Sequence, residues 1–363
     1  MERVLYNKAS YLSRIGWDIT VVTTDQQGRP PFYPFPPRVR MTDLGINYAD
    51  DNDKPVWQKV RGYLRRRRRH RAALTRLLMR ERPDIVVSLF PSESSFIPQI
   101  RDGSKKVLEL HFCKFFRLQY GRKGVLGLID KWRTRQDERL VRQFDSFVVL
   151  TEEDKGYWGN VPNIEVIPNA ALNLSGKVSD VLSRRIIAIG RLDYQKGFDR
   201  LIQAWALVQQ TGRFSDWRLD IFGQGEWHDR LQRMIDRLGL TATAALNAPT
   251  PHIGSEYVAS SLLAMSSHYE GFPMVMIEAM ACGLPVVTFD YKCGPRDIVR
   301  DGVNGLLVKE GDIAGLARAM ERLMADTPLR RQMSKEARRV VRTYSEDAVM
   351  ARWIQLFQNL AGK

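Results

Sequence analysis

Apolar and polar positions follow two rhythms along this chain. Residues 1–15 carry Val4, Leu5, Tyr11, Leu12 and Ile15 at helical spacing, and Gly16 ends the run. Residues 18–24, Asp-Ile-Thr-Val-Val-Thr-Thr, predict a short strand. Short apolar runs recur at 85–90, 105–111, 146–150, 184–190, 218–222, 243–246, 261–264 and 285–289. Longer stretches with helical period follow most of them, predicting helices over 55–80, 126–144, 198–210, 226–238, 313–324, 328–343 and 348–360. Residues 85–90 read as a buried strand. Alternation of this kind predicts an α/β fold with parallel sheets.

The length of 363 residues predicts two domains, and the polar stretch 172–183 has the character of a linker. The first domain is expected over 1–170 and the second over 171–344. The opening departs from the usual order. A parallel α/β domain leads with a strand, a glycine-rich turn and then a helix; here the helix comes first. Residues 28–37 hold five prolines with Phe32, Tyr33 and Phe35. They predict an extended loop, either a plain connection or one lining an acceptor groove.

Hydrophobic content of 44% and charged content of 27% suit a soluble globular protein. Cys113, Cys282 and Cys293 show no metal-ligand spacing and read as structural thiols of a reducing compartment. No apolar run nears the roughly 18 residues of a membrane span, and the N-terminus has no signal-peptide core. The net charge is +15, and residues 59–82 alone hold eleven Lys or Arg against the single acid Glu81. Five of these are consecutive: Arg65, Arg66, Arg67, Arg68 and Arg69. On a helix they surround the axis, so they cannot all face one partner. A solvated face and nucleic acid are alternatives, but the local excess favours an anionic membrane, where each basic residue adds about 1 kcal/mol. Nucleic acid is not the expected partner.

The candidate chemistry lies at 267–283, Ser-His-Tyr-Glu-Gly-Phe-Pro-Met-Val-Met-Ile-Glu-Ala-Met-Ala-Cys-Gly. Glu270 falls on a loop before a helix that Pro273 can open, since its missing N–H would be unpaired there. Glu278 lies on that helix. The backbone around Gly271, Phe272, Pro273 and Met274 offers free N–H groups, which attract anions. The stretch 191–197, Arg-Leu-Asp-Tyr-Gln-Lys-Gly, also joins a strand to a helix, and Arg191 and Lys196 add fixed positive charge for a phosphate. His111 ends a strand, at the sheet edge where parallel sheets bind ligands. The Gly-x-Gly at 223–225 says little alone.

Glu-Gly-Phe-Pro followed by Glu-Ala-Met-Ala-Cys-Gly-Leu-Pro-Val-Val resembles the signature of retaining glycosyltransferases of family four, and 190–202 resembles a second signature of that family. The resemblance implies a GT-B fold: two Rossmann-like doubly wound domains facing across a cleft, with the helix at 345–363 crossing back to the first. It implies a nucleoside diphosphate sugar donor in the second domain, and a saccharide or lipid-linked acceptor in the first. Glu270 and His111 would act on the transferred sugar. Arg191, Lys196 and the amides after Phe272 would hold the diphosphate, and Glu278 the ribose. No metal or other cofactor is required if these cations and amides compensate the leaving group. His268 stands where relatives often carry Arg. In the family, a first strand and a glycine loop precede a helix like residues 1–15; both are missing here, through a late start or a truncation. The expectation is a transferase of cell-envelope polysaccharide synthesis, cytoplasmic and peripheral on the inner membrane face. The competing readings are a nucleotide-sugar-binding protein without transfer, another enzyme of the same architecture such as an epimerase, and a nucleic-acid binder.

Overall fold

The computed structural model describes residues 2–51, 53, 55–91, 93–116, 124–171 and 176–362. The first half runs α1 (Glu2–Arg14), β1 (Thr20–Thr23), β2 (Arg40–Asp43), α2 (Val56–Glu81), β3 (Ile85–Leu89), β4 (Lys105–Glu109), α3 (Gly124–Val141), β5 (Ser146–Val149), α4 (Glu152–Trp158) and β6 (Ile164–Val166). The second runs β7 (Arg185–Ile189), α5 (Phe198–Gln210), β8 (Arg218–Phe222), α6 (His228–Arg237), β9 (Ala244–Asn247), α7 (Ile253–Val258), β10 (Leu262–Met265), α8 (Met274–Ala281), β11 (Val286–Asp290), α9 (Pro295–Ile298), β12 (Gly305–Lys309), α10 (Ile313–Ala325), α11 (Thr327–Ala337) and α12 (Val340–Tyr344). α13 (Glu346–Ala361) returns to the first half.

Both halves are Rossmann-like, with every strand pair parallel. The second half has one six-stranded sheet in the order β12-β11-β10-β7-β8-β9. Its strands are Ile, Val, Leu and Ala runs with both faces covered, as parallel sheets require. The chain leaves β7 toward β8 on one side and comes back to β10 on the other. Ligands of open α/β sheets bind at such a reversal, beyond the carboxyl ends of the strands.

Among the described residues the first half carries two separate sheets, β3-β4-β5-β6 and β1-β2. A cavity of about 2160 Å³ lies between them, lined by both β1 and β3. α13 seats Trp353 and Phe357 in a cluster with Leu12, Val107, Val148 and Ile167, so the last helix completes the core of the first half.

Three elements differ from the sequence expectation. β2 has no apolar alternation to announce it: Arg-Met-Thr-Asp is a largely exposed edge strand held by its pairing with β1. The helix expected over 328–343 breaks at a turn before Val340, and the short α12 then buries Val340 and Tyr344. Ile85–Leu89 forms a strand as expected but is not buried: Ser88 alone is fully covered and Val87 is 37% exposed, because β3 borders the cavity.

Candidate functional site

Two loops build the site, and both leave neighbouring strands at the reversal of the second sheet. The loop after β7 carries Arg191 and Lys196; the loop after β10 carries Glu270. Glycines let the loops close up. A Cβ on Gly190 would meet the Lys196 side chain at 2.8 Å, and one on Gly223 would stand 1.8 Å from the Gly190 carbonyl oxygen. The glycine turn at 223–225 therefore has a steric role that its sequence did not reveal.

Glu270 is buried and fully engaged. Lys196 Nζ lies 2.6 Å from its Oε1, and the Ser267 hydroxyl donates to the same oxygen at 2.8 Å. The Gln195 amide donates to Oε2 at 3.3 Å. Arg191 in turn donates to Gln195 Oε1 at 2.8 Å, while its side chain stays 69% exposed. A chain of contacts thus runs from a solvent-facing guanidinium to a buried carboxylate. His268 stacks on Tyr194 at 4.2 Å between ring centroids, which holds the first loop against the second. Burial pushes the His268 imidazole down from its ordinary pKa, and the nearby Arg200 adds to this.

α8 opens at Met274 after Pro273, as expected. Glu278 sits on its buried side. The Tyr257 hydroxyl donates to its Oε2 at 3.3 Å, and Arg3, from the first half, approaches its Oε1 at 3.8 Å. Burial raises the Glu278 pKa; Arg3 and Tyr257 oppose that.

His111 follows β4 across the cleft, with Nε2 3.3 Å from Glu109 Oε1. Lys8 Nζ holds both Glu109 oxygens at 2.7 Å and lies 3.5 Å over the Trp353 ring. Burial alone would raise the Glu109 pKa; Lys8 and His111 outweigh it and hold the carboxyl at about 2. The two halves touch here. A Cβ on Gly271 would stand 2.1 Å from the His111 carbonyl oxygen, so only glycine allows this approach. Gly271 thus brings the Glu270 loop against the backbone of His111; Arg191 reaches that loop through Gln195, and Glu278 lies on α8, which follows it.

A second seam joins Cys113 and Asp154 of the first half to Cys293 of the second, with ligand-type atoms within 4.8 Å of one another. Asp154 already accepts from Lys114 N–H at 2.8 Å and Trp158 Nε1–H at 3.2 Å, and the Cys293 thiol reaches it at 3.6 Å. The hydrogen bond with Cys113 and burial push the Cys293 thiol pKa up, and burial raises that of Asp154. Hydrogen bonds of this kind tie the two halves together along this seam.

The arginine run lies on α2 and splits by face. Arg65, Arg68 and Arg69 are exposed. Arg66 is buried and reaches Asp50 at 3.5 Å, and Arg67 donates to Ser95 at 2.8 Å. Trp57, Val60, Tyr63 and Leu64 on the same helix are exposed as well. In the 28–37 loop, Tyr33 stacks on Tyr6 at 5.4 Å and Phe35 packs on the same ring, while Phe32 is exposed.

Sequence reasoning missed the supporting partners: Gln195, Ser267, Tyr257, Glu109, Lys8 and Arg3. Gln195 and Ser267 lie inside the quoted motifs, so their positions were a usable signal. Lys8 and Arg3 come from α1, far along the chain, and nothing local pairs them with an acid.

The family model for glycosyl transferases group 1 matches residues 178–340, and that for glycosyltransferase family 4 matches residues 1–171. The amylovoran biosynthesis glycosyltransferase AmsD of Erwinia amylovora is 33% identical over 269 residues, 69% of this chain and 74% of that protein. The chain belongs to the group 1 glycosyltransferases. An exopolysaccharide phosphotransferase of Streptomyces coelicolor is 35% identical over 227 residues, 60% of this chain, but the match spans 24% of that protein's length. The structure of Anabaena Alr3699/HepE in complex with UDP and glucose superimposes with a TM-score of 0.73 at 17% identity, covering 99% of this glycosyltransferase and 95% of that chain. At that identity the likeness establishes the shared fold. No helix among the described residues is long and apolar enough to cross a membrane.

Proposed function

We propose that this glycosyltransferase moves a sugar, with retention of anomeric configuration, from a nucleoside diphosphate sugar to a saccharide or lipid-linked saccharide of the cell envelope. The observation that carries this is the contact chain Arg191–Gln195–Glu270–Lys196 at the reversal of the second sheet, next to the approach of Gly271 to the His111 carbonyl. Breaking the bond from sugar to diphosphate builds negative charge on the leaving group. Arg191 and Lys196 would compensate it, with the Gly271 and Phe272 amides; the Met274 amide, expected to be free, is instead bonded to the Phe272 carbonyl at 2.9 Å. Glu278 accepts hydrogen bonds from the ribose, and Glu270 with His111 holds the sugar as its anomeric carbon becomes electron-poor. The acceptor hydroxyl forms the new C–O bond on the face the leaving group vacates, and its proton passes to a leaving phosphate oxygen. No protein nucleophile is used. The first half, residues 1–170 with 345–363, holds the acceptor, and 171–344 holds the donor. AmsD's name places it in amylovoran biosynthesis, and Alr3699/HepE was solved with UDP and glucose; both support the reading and make UDP-glucose the first donor to try.

The exposed side of α2, with Arg65, Arg68 and Arg69 beside Trp57 and Val60, supports docking on an anionic membrane. The enzyme is then cytoplasmic and peripheral. The test is release of nucleoside diphosphate from a panel of donors, with and without envelope glycan acceptors. Turnover that falls at least about 100-fold in Glu278→Ala is expected. Tight nucleotide binding with no turnover on any donor would transfer the assignment to a nucleotide-sugar-binding protein.

A further inference from the structure

We infer that Cys113, Asp154 and Cys293 form a binding site for one zinc ion, which ties the two halves together beside the transfer site. Cys113 follows β4 and Asp154 lies in α4, both of the first half; Cys293 lies between β11 and α9 of the second. Their sulfur and carboxylate oxygen atoms all fall within 4.8 Å of one another, although the Cys293–Asp154 contact spans 139 residues of sequence. Ligands drawn from three separate segments leave no spacing motif, which is why the cysteines showed none. No more than 2% of any of the three residues is exposed.

The geometry suits the ion. Zinc sites are tetrahedral, with Zn–S about 2.3 Å and Zn–O about 2.0–2.2 Å. Those lengths put sulfur and oxygen about 3.5 Å apart; Cys293 Sγ already stands 3.6 Å from Asp154 Oδ1. The Asp154 carboxylate is oriented by outer donors, as ligating carboxylates are: Lys114 N–H on Oδ1 and Trp158 Nε1–H on Oδ2. Cys293 is fixed from the other side. Its N–H donates to Glu153 Oε2 at 2.9 Å, and its backbone takes a φ of +66°, a region that a cysteine seldom enters. Two thiolates disfavour magnesium and calcium, which take oxygen ligands, and the carboxylate sets the site apart from the all-sulfur sets that suit copper(I). The fourth position is left for water, as in other zinc sites with three protein ligands. Binding exchanges the two thiol protons for the ion, and both protons leave to solvent.

The ion sits where the halves already touch. Cys113 comes two residues after His111. Cys293 precedes Gly294, where a Cβ would meet Pro273 Cδ at 2.4 Å, and Pro273 opens α8. The tie therefore joins the segment of His111 to the start of α8. The site is complete only when the halves meet, because the first supplies two ligands and the second supplies the third. Zinc accordingly favours the joined arrangement by mass action and takes no part in bond making.

Metal binding is read without turnover. The 363-residue chain, reduced and freed of metal by a chelator, is titrated with zinc against a chromophoric competitor and, separately, with cobalt(II). The expected results are one zinc per chain, a near-ultraviolet thiolate-to-cobalt band, and a Tm higher by roughly 3 °C at zinc about a hundredfold above its Kd. Cys113→Ser, Cys293→Ser and Asp154→Asn should each weaken zinc binding at least about 100-fold, while Cys282→Ser, outside the cluster, binds as before. The cobalt band of the unaltered chain needs no variant, so a variant that fails to fold leaves the test intact. Absence of that band, or zinc held as tightly by the Cys113→Ser/Cys293→Ser double variant, would overturn the inference. So would a band that grows with protein concentration, which would place the ion between two copies, or a Cys113–Cys293 disulfide in protein isolated under reducing conditions, which would make the pair a redox tie. Zinc bound by a protein without transfer activity leaves the inference standing and counts only against the transfer reading.

Discussion

The Lys196 ammonium lies 2.6 Å from Glu270 Oε1, across 74 residues of sequence, and this pair joins the two loops at the reversal of the second sheet. Each residue is largely buried, so each depends on the other. Lys196→Met is expected to cost about 2–3 kcal/mol in urea unfolding, below the roughly 3–5 kcal/mol for breaking a buried pair, because Ser267 and Gln195 still donate to the carboxylate. A change under about 0.5 kcal/mol would mean that the pair does not organise these loops.

Glu109 makes an acid-labile contribution. Its folded pKa of about 2 lies below the ordinary value of 4.5. The folded state therefore binds fewer protons than the unfolded state between these values. Stability from Glu109 is full above about pH 4.5 and is lost as pH falls through about 2. Glu109→Gln should flatten the stability profile in that window and lower stability at pH 7, since Lys8 is left buried without its counter-charge. An unchanged acid limb in the variant would contradict this.

Gly271→Ala places a methyl against the His111 carbonyl, where 2.1 Å is available. The halves must separate or the loop must shift. Displacements near 1 Å cost about 100-fold in rate, and that loss in kcat is expected, with small-angle scattering showing a wider cleft. Wild-type kcat would show that the contact is not needed in the catalytic arrangement.

The arginine run should separate by face. Replacing Arg65, Arg68 and Arg69 with Gln is expected to weaken partition onto phosphatidylserine vesicles by about 1 kcal/mol per residue, with Tm unchanged. Replacing Arg66, buried beside Asp50, should lower Tm instead. Equal effects on vesicle binding from both sets would argue against a docking face.

The sequence made the second half legible because each loop there carries its chemistry locally. Arg191, Lys196, Glu270 and Glu278 lie next to the strands and helix starts that position them, so spacing was enough to predict their elements. The first half was less legible. β2 is polar and exposed, and is held by a partner strand rather than by its own pattern. The Lys8–Glu109–His111 group joins α1 to the end of β4, and Trp353 closes over it from α13. Contacts across 101 residues leave no local periodicity. The arginine run gave its charge but not its division: burial of Arg66 depends on Asp50, outside the run.

The seating of Trp353 and Phe357 beneath the first sheet also bears on the order of synthesis. Ribosomes deliver the first half long before the helix that finishes its core. Until Glu346–Ala361 clears the exit tunnel, Val107, Val148 and Ile167 lack their cover, and the nascent chain must keep that surface from neighbouring chains. The second half, whose residues are contiguous, can fold on the ribosome first and serve as the platform on which the earlier-made half is closed.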